Sequence, residues 1–223
     1  MKQTMKTPGR QRAVCTLLAT AALAAGLSAC APLIVGGAVV GGVMAIDRRT
    51  AGTQIEDEGI ELRAAANIRE ALGDRVHVNV TSYNRQALLT GEVPTPQDRQ
   101  TVEQIVSRVD NVRSVVNDLA VMPSSTLSQR SNDTFITGKV RASLVDAKDL
   151  TATAFKVVTE RNIVYLMGRV SQREATRATE IVRGVGGVSK VVRVFEIISE
   201  EEMRRIAPQP APVTSDSARP AGG

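Results

Sequence analysis

The sequence is poor in the side chains on which most enzymes and metal proteins depend. It has one histidine, His77, and two cysteines, Cys15 and Cys30, among 223 residues. Tryptophan is absent, and there are only two tyrosines and three phenylalanines. His77 has no cysteine or second histidine in the body of the chain to complete a zinc site of the usual kind. No nucleophile, base and orienting group can be assembled from these residues, so we predict a protein without enzymatic activity, metal or cofactor.

The first 29 residues have the three-part layout of a secretory signal. Four basic residues precede an apolar run, and small residues follow it. The run ends in Leu-Ser-Ala-Cys at residues 27–30, which resembles the lipobox of bacterial lipoproteins. The resemblance implies that the signal peptide is removed before Cys30 and that Cys30 is then acylated. The alternative is a plain signal peptide with a chance cysteine.

Removal of the signal peptide changes the charge of the protein. Residues 1–29 contain four of the 28 Lys and Arg and none of the 23 Asp and Glu, which leaves 24 against 23 and a net charge of +1. A nucleic-acid-binding protein needs a basic surface that survives maturation. We therefore predict no nucleic-acid partner, and we expect no small-molecule substrate. Cys15 leaves with the signal peptide, so the mature body has no disulfide.

An apolar stretch follows the cysteine, and we assign residues 30–55 to an acylated tether near the membrane. The stretch from Leu33 to Ile46 is apolar but spans only fourteen residues. A helix that crosses a bilayer needs about 20. Glycine pairs at residues 36–37 and 41–42 also disfavour a helix. The alternative is that this stretch packs as an element of the fold.

The body of the chain contains an internal repeat. The sequence LLTGEV at residues 88–93 matches YLMGRV at residues 165–170 with an offset of 77, and VRSVVN from residue 112 matches VSKVVR from residue 188 with an offset of 76. Two copies of one small module therefore fill most of the chain. We place module 1 at residues 56–122, a linker at 123–131, module 2 at 132–199 and a largely disordered tail at 200–223.

Each module has the pattern of a helix, two strands, a helix and a strand. The first helix is indicated by apolar residues at a spacing of four, which are Ile60, Ala64 and Ile68 in module 1 and Ile136, Val140 and Leu144 in module 2. Alternating valines then predict a hairpin, and Pro96 or Ser171 opens the second helix. The predicted fold is α+β: two repeated αββαβ modules, each a three-stranded mixed sheet covered by two helices.

These residues carry a resemblance to a known family. A strand that ends in Leu-x-Gly-x-Val, followed by a helix and by Val-x-x-Val at the next strand, looks like the BON domain. With the signal and Cys30 included, the whole chain resembles the dual-BON outer-membrane lipoproteins of Gram-negative bacteria. The resemblance implies a phospholipid-binding protein that supports envelope integrity at the periplasmic face of the outer membrane. Ala31 follows the cysteine where inner-membrane members often carry aspartate, which also favours the outer membrane.

Other conspicuous polar residues favour structural explanations. His77 alternates with core valines, so we expect it on the open face of a strand. Asp57, Glu58 and Glu61 cluster near the predicted start of a helix, where the helix dipole favours negative charge. None of these residues is predicted to be catalytic.

The two modules differ in charge and in one aromatic side chain. Residues 57–121 have seven basic against ten acidic residues, a net of −3, whereas residues 131–199 have eleven against seven, a net of +4. On the first helix of module 2, Phe135 lies off the buried stripe, and the matching residue of module 1 is Gly59. We predict that the outer side of this helix contacts anionic phospholipid through five residues: Phe135, Lys139, Arg141, Ala142 and Val145. Alternatively, the charge difference is drift of surface charge and Phe135 packs on the other module.

The second strand of module 2 offers another predicted interaction surface. Val164 and Leu166 face the helices, so Ile163, Tyr165 and Met167 must point the other way. An apolar outer face is usually covered, and we expect module 1, or alternatively an envelope protein, to pack there. The leading functional hypothesis is a phospholipid-binding lipoprotein. The alternative is a periplasmic adaptor that holds an envelope protein, with the lipid serving only as a tether.

Overall fold

The computed structural model describes residues 47–206. The predicted signal peptide, Cys30, the tether as far as residue 46 and the tail from residue 207 onward lie outside the described residues. None of the helices between residues 47 and 206 combines the length and the apolar character that crossing a bilayer requires.

Module 1 begins with helix α1 (Ala51–Leu72), which the Thr50 side chain caps by accepting a hydrogen bond from Thr53 N–H. The elements that follow are a 3₁₀ turn (Gly73–Arg75), β1 (His77–Tyr83), β2 (Gln86–Val93), α2 (Pro96–Ser107), β3 (Ser114–Asn117) and β4 (Ala120–Val121). Strand β2 lies in the middle of the sheet, antiparallel to β1 and parallel to β3 and β4. The predicted last strand is therefore present as two short pieces.

Module 2 repeats this topology. Its elements are α3 (Leu127–Asp146), a 3₁₀ turn (Ala152–Ala154), β5 (Lys156–Glu160), β6 (Ile163–Val170), α4 (Gln172–Arg183) and β7 (Lys190–Ile197). Strand β6 lies in the middle, antiparallel to β5 and parallel to β7. A capping box starts α3 at Thr126 and Gln129, and another starts α4 at Ser171 and Glu174. The predicted α+β fold of two αββαβ modules is confirmed.

The two helices of each module cover one face of its sheet. In module 1 the apolar residues of α1 and α2 pack on that face, where β2 contributes Ala87 and Leu89. In module 2 the corresponding core joins α3 and α4 to Val164 and Leu166 of β6. The opposite face of each sheet is left without helices, and this determines how the modules meet.

The glycine of the Leu-x-Gly-x-Val motif allows a neighbouring chain segment to approach closely. A Cβ atom on Gly91, whose φ is 110°, would lie 2.1 Å from the carbonyl oxygen of His77. A Cβ atom on Gly168 would lie 2.3 Å from the carbonyl oxygen of Ala154. Because real Cβ contacts are longer, both positions require glycine for steric reasons.

Three boundaries differ from those expected. Helix α1 begins at Ala51, inside the predicted tether, and α3 begins at Leu127, inside the predicted linker. Residues Glu200–Ile206 form a short helix, α5, inside the tail that was expected to be largely disordered. The early starts were missed because the first turns of α1 and α3 bury no apolar residue. The capping threonines, not the apolar spacing, mark the true helix starts.

Candidate functional site

The outer side of α3 carries the residues predicted to contact membrane. Phe135 is 66 % exposed and Val145 is 65 % exposed, and Arg141 and Ala142 between them are also exposed. The opposite side of the same helix is buried against the sheet of module 2. This arrangement follows from the helical period, because a helix that buries every fourth residue must turn the intervening ones outward. The exposed residues of this face are apolar except for Arg141.

Lys139 is placed differently from the other four residues. It is half-buried, its Nζ donates a hydrogen bond to the carbonyl oxygen of Gly186, and the same Nζ lies 4.9 Å from the centre of the Phe135 ring. Lys139 is therefore partly covered and bonded, although it lies on the side of the helix that was predicted to contact phospholipid. Its charge is held at the ring by a cation–π contact. Within residues 47–206, Arg141 forms no ion pair, so its charge is available to a ligand.

The matching face of module 1 has a different character. A side chain at Gly59 would lie 2.9 Å from Arg63 Nη1, and Arg63 pairs with Glu56 at 2.6 Å. Two apolar residues of α1 that the sequence argument missed, Ile55 and Leu62, are 71 % and 73 % exposed. Ile55 was overlooked because α1 was expected to start after it, and Leu62 lies inside the predicted helix but off the stripe that the apolar spacing defines. An exposed apolar pair is thus present on the first helix of both modules, but only the first helix of module 2 pairs an exposed aromatic ring with a cation.

The second predicted surface is covered by module 1. Tyr165 and Met167 are fully buried, and they form one cluster with Tyr83 and Leu88 of module 1. Ile163 is partly buried at the margin of this cluster. The two helix-free sheet faces therefore pack against each other, and this face is not open to an envelope protein.

The contact between the modules includes a specific buried polar bond. The Tyr165 hydroxyl donates to Asp118 Oδ2 at 2.7 Å. Burial, and then the bond to the Asp118 carboxylate, raise the pKa of Tyr165 well above its ordinary value. The hydroxyl is therefore a permanent donor across the joint.

Polar contacts also join the two modules. Lys156 of module 2 lies 2.7 Å from Glu61 of module 1, and Asn84 of module 1 donates to Glu196 of module 2. Arg161 of module 2 donates to the carbonyl oxygen of Gly91 at 2.8 Å. Because these directional bonds join several strands of the two sheets, they fix the relative orientation of the two modules.

The one histidine is also at this joint. His77 was expected on an open strand face, but it is half-buried, and its Nδ1 lies 2.9 Å from Glu92 Oε2. Glu160 of module 2 is close enough that one ligand atom from each of the three residues lies within 4.8 Å of the others. This group was not predicted, because the partners of His77 are carboxylates from distant strands and not the nearby cysteines or histidines of a typical zinc site. These are the residues that can hold a metal ion in the described part of the chain.

Burial acts differently on the two glutamates. Burial raises the pKa of Glu160, and a hydrogen bond from Asn79 only partly opposes this effect. Burial also favours the neutral form of Glu92, but bonds from the Ser125 N–H, His77 and Arg161 outweigh it, so the pKa of Glu92 is lowered. Glu92 is therefore well stabilised as an anion, and Glu160 is not.

Comparison with known proteins agrees with the repeated fold. The model of the BON domain family matches residues 61–123 and 132–199, which are the two modules of the structure. The outer membrane lipoprotein DolP of Haemophilus influenzae is 33% identical over 174 residues, which cover 77% of this chain and 90% of that protein. The chain belongs to the dual-BON outer-membrane lipoprotein family. A 21 kDa hemolysin of Actinobacillus pleuropneumoniae is 32% identical over 155 residues, covering 69% of this chain and 80% of that protein.

The first helix of each BON module carries a buried aspartate that the sequence argument did not explain. Asp57 of α1 accepts hydrogen bonds from the N–H groups of Asn84 and Arg85, at 2.8 and 2.7 Å, and from the Ser82 hydroxyl at 2.6 Å. Burial opposes ionisation of Asp57, but these bonds and one from Arg49 prevail and lower its pKa. The interpretation of Asp57 as a helix-start residue was wrong, because α1 begins six residues earlier at Ala51.

The second BON module has an equivalent aspartate that binds the N–H groups of a hairpin turn. Asp133 of α3 accepts from the N–H groups of Arg161 and Asn162 at 2.9 and 2.8 Å. Both pairs of turn residues have positive φ values: 51° and 64° at Asn84 and Arg85, and 52° and 61° at Arg161 and Asn162. Each aspartate therefore holds a strained two-residue hairpin turn against the first helix. The repeat offset of 76 between the two aspartates was the sequence signal that could have revealed it.

Two arginines ahead of α1 attach to different BON modules. Arg48 donates to both carboxylate oxygens of Glu174, at 2.8 and 2.7 Å, and to the carbonyl oxygen of Arg169 at 2.9 Å. Arg49 pairs with Asp57 at 2.8 Å, and its guanidinium carbon lies 4.4 Å from the centre of the Tyr83 ring. Residues 48 and 49 were assigned to the tether, but they are part of the folded body.

Proposed function

We propose that the protein is a non-enzymatic lipoprotein, anchored by acylated Cys30 at the periplasmic face of the outer membrane. Its second BON module binds anionic phospholipid through the outer side of α3 and thereby supports the integrity of the envelope. The observation that carries this proposal is the exposed Phe135 ring with Lys139 Nζ at 4.9 Å and exposed Arg141 on the same helix. An apolar side chain beside cations is the arrangement that suits the boundary between headgroups and acyl chains.

The groove next to Phe135 adds to this surface. A shallow open groove of about 520 Å³ runs between α3 and the end of α4. Its lining includes Ala142 of the predicted membrane face and the apolar residues Ile181 and Val185. Such a groove offers apolar surface to the glycerol and upper acyl region of a lipid, next to the cations that attract its headgroup.

The charge of the second module supports an anionic ligand. Residues 131–199 carry a net charge of +4, and each basic side chain near an anionic membrane contributes about 1 kcal/mol. The first module, with a net charge of −3 over residues 57–121, is repelled by the same surface. The acyl chains of Cys30 provide the larger share of membrane residence, at about 0.8 kcal/mol per buried CH₂. The α3 face then determines which side of the body meets the lipid.

The surface that the adaptor hypothesis assigned to an envelope protein is covered by module 1. The hypothesis required Tyr165 and Met167 to be open to an envelope protein, and both are fully buried under module 1. An adaptor role would need another face of the molecule.

Vesicle flotation tests the proposal on residues 47–223, which keep both BON modules, Arg48 and Arg49 but lack the acylated Cys30. We expect binding to vesicles that contain phosphatidylglycerol and not to vesicles of phosphatidylcholine alone. Phe135→Ala should weaken binding about tenfold, because it removes a large apolar contact worth roughly 1.5 kcal/mol or more. Arg141→Glu should weaken binding strongly at low salt and less at high salt, because exposed charges are screened.

Leu62→Ala is the matched control for Phe135→Ala. It removes an exposed apolar side chain from the equivalent helix of module 1, so vesicle binding should stay unchanged. Equal binding by the parent, Phe135→Ala and Arg141→Glu, with all three folded, would show that α3 does not face lipid.

A further inference from the structure

Three side chains from three strands converge at the joint between the modules. His77 of β1 and Glu92 of β2 are register partners across an antiparallel pair, so their side chains lie on the same face of the sheet. Glu160, the last residue of β5, approaches them from module 2. Both glutamates are buried, at 1 % and 4 % exposure. This separates the group from the exposed acidic clusters that are common on protein surfaces.

Glu160 has no cationic partner of its own. Its Oε2 accepts a hydrogen bond from Asn79 at 2.8 Å, and within residues 47–206 no lysine or arginine forms an ion pair with it. Its carboxylate faces a polar cavity of about 220 Å³, which His77, Thr137 and Thr159 also line. A buried carboxylate without a compensating charge is costly unless a proton or a cation joins it.

The charges around the group do not supply that compensation. Arg161 donates to Glu92 Oε1 at 3.2 Å, so its positive charge compensates Glu92 and not Glu160. Asp133, which also lines the cavity, has both oxygens occupied by backbone N–H groups and adds a further negative charge. Arg130 is held by the Ser125 hydroxyl and carbonyl oxygens. Apart from His77, three carboxylates face two guanidinium groups, which leaves one negative charge.

We propose that His77, Glu92 and Glu160 form a binding site for a divalent transition-metal cation of the zinc class. One imidazole nitrogen and two carboxylate oxygens are ligands that zinc accepts, at about 2.0–2.2 Å. The donor atoms of a tetrahedral zinc site lie about 3.4 Å apart by that geometry, so atoms now within 4.8 Å need only small side-chain rotations. Magnesium and calcium prefer sites made of oxygen alone.

The position of the site gives the cation a structural role. His77 and Glu92 belong to module 1 and Glu160 belongs to module 2, so the ion bonds the two modules to each other. Arg161 stays on Glu92 Oε1. Glu92 Oε2 accepts from Ser125 N–H at 3.0 Å, so the metal takes the second lone pair of Oε2, on the side that now faces His77 Nδ1. The polar cavity that His77 and Glu160 line has room for a water ligand. Bound metal therefore stabilises the joint between the modules and excludes a proton from Glu160.

The test uses the full-length acylated protein, purified in non-ionic detergent without a histidine tag and stripped of metal with a chelator. Zinc chloride is titrated by calorimetry, and magnesium chloride is the comparison probe. We expect one zinc ion per chain and a higher Tm with zinc, and neither effect with magnesium at the same concentration. Zinc should also displace protons, so the measured affinity should fall as the pH is lowered.

Glu160→Gln is the decisive variant. It removes a ligand and a buried charge but can still accept the bond from Asn79, so the metal-free variant should be at least as stable as the parent. Its zinc affinity should fall at least about tenfold. His77→Gln, at a half-buried position, should give the same loss. Glu61→Gln is the matched control, since it removes a carboxylate that pairs with Lys156 across the same joint and should leave zinc binding unchanged.

Two results would overturn the proposal. One is a parent protein that takes up no zinc at millimolar concentration. The other is zinc binding of equal strength in the parent, Glu160→Gln and His77→Gln, which would place the metal elsewhere in the chain.

Discussion

Arg48 and Glu174 form a two-bond ion pair across 126 residues of sequence, with Nη1 and Nη2 at 2.8 and 2.7 Å from the two carboxylate oxygens. Their side chains are 8 % and 4 % exposed. Glu174 is also the residue that closes the capping box of α4 by accepting from Ser171 N–H. The segment that enters module 1 is therefore bonded to the start of a helix in module 2. Removal of either partner leaves the other as a buried charge without a counter-charge.

Arg48→Ala should destabilise the folded body by about 3 kcal/mol, because it leaves Glu174 buried without its cation. Urea unfolding at pH 7 measures this as a shift of the midpoint. Arg177→Ala is the control, since its ion pair with Asp149 is about half exposed on both sides and should contribute less than about 1 kcal/mol. Equal, small losses in the two variants would contradict the importance of the buried pair.

The same variant has a predicted pH signature. Burial acts to raise the pKa of Glu174, but the bonds from Arg48 and Ser171 outweigh it and the pKa is lowered. A lowered pKa in the folded state contributes stability above the unfolded value, and that contribution disappears as the pH falls through the folded value. The stability difference between the parent and Arg48→Ala should therefore be largest near pH 7 and shrink below about pH 4. A difference that is constant from pH 7 to pH 3 would argue against this origin.

The paired aspartates predict that substitution of either one destabilises the protein. Asp57→Asn and Asp133→Asn each place an amide donor next to backbone N–H donors, so each should cost about 2–3 kcal/mol. Asp57→Asn should cost more, because Asp57 also accepts from Ser82 and Arg49. Unfolding by urea measures both. Asp146→Asn, at the exposed end of α3, should leave stability nearly unchanged and serves as the control.

The buried face between the sheets predicts cooperative unfolding. Met167→Ala removes a fully buried side chain from the inter-module cluster, and such changes typically cost 2–5 kcal/mol. Because the cluster is shared, the loss should lower one common calorimetric transition and should not separate two. Two transitions in the parent, with only the one for module 2 responding to the substitution, would show that the modules unfold independently.

Much of the fold follows from the sequence because the apolar periods are local. The spacing of Ile60, Ala64 and Ile68 defines the buried side of α1, and strand alternation puts Tyr165 opposite Val164. Both signals need only a few neighbouring residues. The exposed position of Phe135 follows from the same argument.

The residues that sequence reasoning missed depend on contacts between distant segments. His77 and Glu160 are 83 positions apart in the chain and meet only because the two sheets pack face to face. The sequence around Asp57 indicates a solvated carboxylate on a helix, and only the folded structure shows its bonds to the hairpin turn at residues 84 and 85. Arg48 stands outside any apolar period, so nothing local predicted its bond to Glu174. A single sequence carries no local signal for such pairings.

Because the two sheets pack face to face, the apolar face of module 1 stays uncovered until module 2 has been synthesised. Leu88 and Tyr83 are made about 80 residues before Tyr165 and Met167, the residues that cover them. During synthesis and export from the amino terminus, module 1 therefore presents an open apolar sheet face until β6 and β7 have emerged. A chain that stops before residue 163 should therefore aggregate or require a chaperone. Folding of module 2 onto module 1 buries the apolar face and removes this risk.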